Sequence, residues 1–143
     1  MAPPMPSRIR SQAELETMWR ALMEPLGFSR TSLWLTALEG DLPTKVMVEI
    51  GDLPLKPDAD SLAGFRGILV EAFGDASEAR LAMLLSRPGG GGLTAGDRAW
   101  ARGVLAAARS AGVQAEPMHL ATDHALRLIS PDDLIGRGPV AVT

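Results

Sequence analysis

Four consecutive glycines, Gly89 to Gly92, separate an apolar run that ends at Arg87-Pro88 from a polar start of a new segment at Thr94. A strand, a glycine-rich turn and a helix N-terminus together favour anion binding, because backbone amides and the helix dipole point at one place. Arginine side chains beside the turn would add positive charge. One interpretation is therefore a phosphate or carboxylate ligand, held by Arg87, Gly90, Gly91, Gly92, Thr94 and Arg98.

The established nucleotide-binding patterns are missing from this loop. Gly91-Gly92-Leu93-Thr94 lacks the lysine of a Walker loop, and four adjacent glycines without a preceding βαβ unit do not form a dinucleotide fingerprint. Thr94 and Asp97 also fit a near capping box, which satisfies helix amides without any ligand. The loop is most simply explained as a flexible connector between a strand and a helix.

His119 and His124 are the only two histidines of the chain. If a two-residue turn is centred on Thr122-Asp123, Ala121 pairs with His124 and His119 with Leu126, so both imidazoles lie on one face of a hairpin. His119, Asp123 and His124 could then bind zinc. A zinc-dependent hydrolase using the two histidines is therefore a further interpretation.

Other catalytic chemistry has less support. Ser86 is not surrounded by a Gly-x-Ser-x-Gly motif. The neighbouring acids Asp58 with Asp60 and Asp132 with Asp133 look like helix caps and solvated carboxylates. No cysteine is present, which excludes cysteine nucleophiles and thiolate metal sites.

Length and composition are typical of one soluble domain. The chain has 143 residues, 46% of them hydrophobic, enough to bury a core without metals or cross-links. Residues 1–10 contain two arginines and no apolar block, so we expect a disordered leader and not a signal peptide.

No apolar run is long enough to span a membrane, and a net charge of −3 disfavours a nucleic-acid partner. We expect a cytoplasmic protein without a cofactor, and its high mean hydropathy suggests a homodimer.

Hydrophobic periodicity predicts the elements that position the glycine loop. A capping box at Ser11 to Glu14 opens a helix over about residues 12–24. Two runs rich in β-formers, 31–38 and 45–50, form a hairpin. A second helix begins near Asp58 and ends at Gly74.

The second half of the chain contains the loop itself. Residues 81–85, LAMLL, are expected to form a central strand buried on both faces. A third helix runs from Thr94 to Gly112, a terminal hairpin joins 117–121 to 125–129, and a helical turn follows Ser130. The order predicts one α/β (α+β) domain over residues 11–135, with a mixed sheet of about five strands, three flanking helices, and a loose tail at 136–143.

The element order, together with LLSRPGGGGLTAGDRAWARGVLAAARSAGVQAEPMHLATD, resembles the JAB/MPN metalloprotease family, and most closely its RadC-like branch. In active members a buried strand runs into His-x-His-Pro, a Gly/Pro-rich loop follows, and Ser-x-x-Asp opens a helix. The two histidines and the aspartate bind zinc, and an upstream glutamate acts on the metal-bound water. The resemblance covers roughly residues 31–130.

The resemblance assigns roles residue by residue. Pro88 matches the proline, Thr94 the serine and Asp97 the aspartate, while Gly112-Val113 and His119-Leu120 match the later helix end and strand. The two metal histidines fall at Leu85 and Arg87; leucine has no lone pair and a guanidinium is always cationic, so neither binds Zn²⁺. Glu49 is the nearest candidate for the upstream glutamate. The resemblance therefore implies a JAB/MPN-like fold with a vestigial site at Leu85, Arg87, Thr94 and Asp97 and no catalytic residue.

The leading functional interpretation is a non-catalytic JAB/RadC-like domain that acts as a protein-binding or assembly module. Its contact surface would centre on Arg87, the glycine loop and the start of the third helix. We expect Arg87 to pair with Asp97, which would replace the charge of the metal with a fixed cation and hold the loop in shape.

Overall fold

The computed structural model of the chain describes residues 3–73 and 79–135. Gly74, expected to end the second helix, and the expected tail at 136–143 lie outside these ranges. The elements in chain order are α1 (Gln12–Met23), β1 (Ser32–Glu39), β2 (Leu42–Ile50), α2 (Ala59–Phe73), β3 (Ala79–Ser86), α3 (Ala95–Ser110), β4 (Gln114–Ala115), β5 (His119–Ala121), β6 (Leu126–Leu128) and α4 (Pro131–Ile135).

The strands form one open mixed sheet in the order β2-β1-β3-β5-β6, with the short β4 also paired to β3. β1 is antiparallel to both β2 and β3, whereas β5 runs parallel to β3 after a crossover through α3. This confirms the predicted class, a single mixed α/β domain. The two-residue β4 was not predicted, because so short a strand leaves no period in the sequence.

β3 lies at the centre of the molecule, and its alternate side chains enter two different cores. Leu81, Met83 and Leu85 pack with residues of α2 and α3, including Phe65 and Trp100. Ala82 and Leu84 point to the other face and pack with the apolar side of α1. Residues 81–85 are fully buried, which confirms the prediction of a strand covered on both faces.

Side chains set the ends of the helices as the capping patterns predicted. The Ser11 hydroxyl accepts a hydrogen bond from the Glu14 amide at the start of α1. Thr94 and Asp97 form a complete capping box at the start of α3. At the other end of α3, Gly112 adopts φ +76° and the Val113 amide donates to the Ala108 carbonyl, a left-handed helix end that favours glycine.

Two expectations need correction. The terminal hairpin pairs Ala121 with Leu126 and His119 with Leu128, so its turn has four residues and the predicted two-residue register is wrong. The Thr122 hydroxyl accepts hydrogen bonds from the amides of His124 and Ala125, which stabilises the longer turn. The expected leader over residues 1–10 does not extend to Ile9, which is buried and donates its amide to the Asp41 carbonyl.

His119 lies fully buried in β5, between Leu84 and Leu128 on the neighbouring strands. Neither ring nitrogen has a hydrogen-bond partner within the described ranges. Burial lowers the pKa of His119 to about 4; on α1, Glu16 acts in the opposite direction and Arg20 lowers the pKa further. The folded protein therefore keeps this imidazole neutral where an unfolded chain would protonate it.

This burial predicts a loss of stability in mild acid. Between about pH 6.5 and about pH 4 the unfolded chain binds a proton at His119 that the folded chain excludes, so folding weakens as the pH falls, by about 3 kcal/mol in total. Urea unfolding at a series of pH values measures this slope. His119→Leu should flatten it, and His124→Ala, which removes the other, exposed histidine, should leave it intact. Identical slopes for the wild type and His119→Leu would contradict the prediction.

Candidate functional site

The site is built around Arg87, the first residue after β3. Its amide donates to the Ala121 carbonyl, which anchors the backbone to the end of β5. Its guanidinium meets the carboxylate of Asp97 in the first turn of α3, with Nε 2.9 Å from Oδ1 and Nη2 2.9 Å from Oδ2. The side chains are only 14% and 3% exposed. The ion pair expected from the sequence is therefore present, in the two-pronged geometry that arginine favours with carboxylates.

The glycine loop wraps around the same guanidinium. Arg87 Nη1 donates to the carbonyls of Pro88 (3.2 Å) and Gly90 (3.4 Å), and Nη2 donates to the carbonyl of Gly92 (3.2 Å). Gly89 and Gly91 have φ values of +87° and +80°, a region that favours glycine. The loop thus directs carbonyl oxygens inward onto a cation that belongs to the chain itself.

Asp97 both caps the start of α3 and binds the arginine that holds the loop. Its Oδ2 accepts a hydrogen bond from the Thr94 amide (3.0 Å), and its own amide donates to Thr94 Oγ1 (3.0 Å). The same carboxylate accepts hydrogen bonds from Nε and Nη2 of Arg87. Because both of its oxygens are already bonded, Asp97 joins the start of α3 to the end of β3.

Asp123 holds the loop from the other side. Its Oδ2 accepts the Gly89 amide (2.8 Å) and its Oδ1 accepts the Phe28 amide (2.9 Å). The backbone hydrogen bonds from Gly89 and Phe28 lower the pKa of Asp123 and keep it charged. This anchoring role could not be predicted, because Phe28 and Gly89 are far from Asp123 along the chain.

The three suggested zinc ligands do not come together. His119 is buried in the sheet, Asp123 binds backbone amides, and His124 lies beside Gly90, where its ring leaves no room for a β-carbon. Within the described part of the chain no group of three or more His, Cys, Asp or Glu side chains is placed to hold a metal ion.

The geometry also disfavours the anion interpretation. Arg87 points inward to Asp97 and the loop carbonyls, and Arg98 donates to the Leu93 carbonyl at 3.3 Å. The Thr94 amide is bonded to Asp97. Gly90 and Gly92 present carbonyl oxygens to the interior of the loop, and oxygens repel an anion.

Glu49, the candidate for an upstream catalytic acid, is held elsewhere. Its Oε2 accepts hydrogen bonds from Ser32 Oγ (2.8 Å) and Arg30 Nη2 (2.9 Å). The Ser32 hydrogen bond, followed by the Arg30 interaction, lowers the pKa of Glu49. Glu49 lies on β2, and β1 separates that strand from β3 and Arg87. The structure therefore does not place it with Arg87 and Asp97.

A cavity of about 510 Å³ opens beside the ion pair. Its wall includes apolar atoms of Leu55, Leu85 and Trp100 as well as Arg87 and Asp97. The Trp100 indole donates to the Pro54 carbonyl at 3.0 Å, which fixes the segment ahead of α2. Leu55 in that segment is 85% exposed. The ion pair thus forms one wall of a mostly apolar opening with an exposed leucine at its rim, a feature that the sequence did not reveal.

Comparisons with models of protein families, with curated proteins and with solved structures found no match for this chain.

None of the helices in residues 3–73 and 79–135 combines the length and apolar character needed to cross a membrane.

Removing the Arg87 guanidinium should lower the free energy of unfolding substantially. Arg87→Ala leaves the buried Asp97 carboxylate without its cation, and we expect a loss of about 3 kcal/mol in the free energy of unfolding. Arg87→Lys keeps the positive charge but not the planar guanidinium. Its free energy of unfolding should therefore lie between that of Arg87→Ala and that of the wild type. Denaturant unfolding measures both.

The matched control is Arg102→Ala, which removes an exposed arginine of α3 that donates to the Leu134 carbonyl. It should change stability by less than about 0.5 kcal/mol. An Arg87→Ala variant as stable as Arg102→Ala would show that the pair does not hold the loop.

Proposed function

We propose that the chain is a non-catalytic JAB/RadC-like domain that acts as a protein-binding or assembly module. Its contact surface, here named the loop surface, consists of Leu55, Lys56, the loop Arg87 to Gly92 and the first turn of α3. The element order of helix, hairpin, helix, strand and helix agrees with the resemblance and supports this proposal.

The observation that carries the proposal is the position of Arg87. The resemblance implies a metal ligand at this point, and the guanidinium there bonds the Asp97 carboxylate and three loop carbonyls instead. A fixed cation in that place repels Zn²⁺. A loop held in one shape without a metal is suited to recognition, because a rigid surface loses little entropy when it binds.

The cavity beside the pair supports binding of a protein partner. Interfaces concentrate their affinity in apolar anchors that insert into pockets, with a polar rim around them. The opening lined by Leu85 and Trp100 is mostly apolar, and Lys56 supplies charge at its border. The exposed Leu55 would be covered when a partner side chain enters.

The proposed loss of the metal site is tested first by metal content. Protein purified without a histidine tag should contain no stoichiometric zinc when measured by mass spectrometry of the elements, before or after incubation with Zn²⁺ and desalting. Retention of about one zinc per chain would contradict the proposal. If zinc is retained, loss of that zinc in Asp97→Asn or in His119→Leu would locate its site.

The loop surface is tested by quantitative capture of partners from lysate of the cells that make the protein. Leu55→Asp places a charge at the rim of the cavity and should abolish recovery of any specific partner. Ile68→Asp makes the same kind of change at an exposed apolar residue of α2 and serves as the matched control. A partner bound by the wild type and by Ile68→Asp, but not by Leu55→Asp, is the expected result. Equal recovery by both variants would rule out this surface.

A further inference from the structure

Two fully buried side chains, Trp19 and His119, carry ring nitrogens that have no hydrogen-bond partner within residues 3–73 and 79–135. The atoms concerned are Nε1 of the indole and both nitrogens of the imidazole. Buried polar atoms of folded proteins are nearly always hydrogen-bonded, either to the protein or to ordered water. An unbonded group costs its full desolvation penalty, so these nitrogens require an explanation.

Both residues belong to the core between α1 and the sheet. Trp19 packs there with Leu84 and Ala121. His119 on β5 is paired with Leu84 on β3 and lies two residues before Ala121, so its side chain leaves the sheet on the same face. The indole and the imidazole therefore enter one layer of the molecule.

The turn of α1 that faces His119 is the turn that contains Trp19. Arg20 Nη2 donates to the carbonyl of Leu126 at 3.0 Å, which holds this turn against β6, the neighbour of β5. Besides burial, the charges of Glu16 and Arg20 affect the pKa of His119, so both side chains lie near the imidazole. Trp19 lies between them along α1 and is fully buried, which brings the indole to the same place.

The hydrogen-bonding capacity of the two rings identifies the ligand. An indole N–H can only donate, whereas a neutral imidazole has one donor and one acceptor. A water molecule both donates and accepts, and buried waters typically bond to polar groups that would otherwise be unsatisfied. A metal cation does not fit, because the indole nitrogen offers it no lone pair.

We propose that an ordered water molecule is bound between α1 and β5, where it accepts a hydrogen bond from Trp19 Nε1 and donates one to a ring nitrogen of His119. Ala82 and Ala121 lie on the same face of the sheet, and their short side chains favour room for a water in this layer. The water links the helix to the sheet. This layer lies on the face opposite α2 and α3, so the proposal does not depend on the loop surface.

A crystal structure that resolves ordered waters tests the site directly. We expect a water within hydrogen-bond distance, about 2.7–3.2 Å, of both Trp19 Nε1 and one ring nitrogen of His119. A direct hydrogen bond between the two rings, a water bonded to only one of them, or no water at all would overturn the proposal.

Nuclear Overhauser effects between water and the indole N–H protons test the site in solution. The Trp19 N–H should show a cross-peak to water with the sign expected for a long-lived complex. Trp100 is the matched control in the same chain, because its indole is also buried but donates to the Pro54 carbonyl. Its N–H should show no such cross-peak.

Variants distinguish a shared water from one that binds the indole alone. The cross-peak at the Trp19 N–H should disappear in His119→Leu and remain in His124→Ala, which changes the other histidine. Relaxation dispersion of water deuterons counts long-lived waters, and this number should fall in both Trp19→Phe and His119→Leu. A cross-peak that persists in His119→Leu, or an unchanged number of long-lived waters in Trp19→Phe, would contradict the proposal.

Discussion

The Asp97 carboxylate is the constraint on which the loop depends. It is almost fully buried at the start of α3, where an ionised group is tolerated only if it is paired and hydrogen-bonded. Arg87 supplies the positive charge and donates hydrogen bonds from Nε and Nη2, and the Thr94 amide donates a further one. The remaining guanidinium donors satisfy the loop carbonyls. One arginine therefore neutralises the carboxylate and shapes the glycine turn.

Rigid elements bring these groups together. β3 is covered on both faces, which fixes where Arg87 leaves the sheet. The capping box fixes Asp97 at the helix start. Asp123, from the turn after β5, secures Gly89. The loop is hydrogen-bonded at both ends and at Gly89 between them, and its glycines permit this tight conformation. The opening beside it, with Leu55 at its rim, is the surface that this arrangement presents.

Local patterns predicted much of the fold. The capping residues Ser11 and Thr94 marked the starts of α1 and α3, and the apolar run of 81–85 marked the central strand. The pairing of Arg87 with Asp97 was expected only because the resemblance placed both residues in one site. The role of Asp123 and the exposure of Leu55 could not be predicted, because they depend on contacts between segments distant along the chain. The hairpin register was wrong because the Thr122 hydroxyl stabilises a longer turn.

The central claim is that Arg87 holds the loop through Asp97. A double-mutant cycle on the free energy of unfolding, with Arg87→Leu, Asp97→Asn and the combined variant, measures that interaction most directly. We predict a coupling energy of about 2 kcal/mol or more, within the range known for residues in one hydrogen-bonded network. A coupling energy below about 0.5 kcal/mol, the scatter seen for independent sites, would contradict the claim.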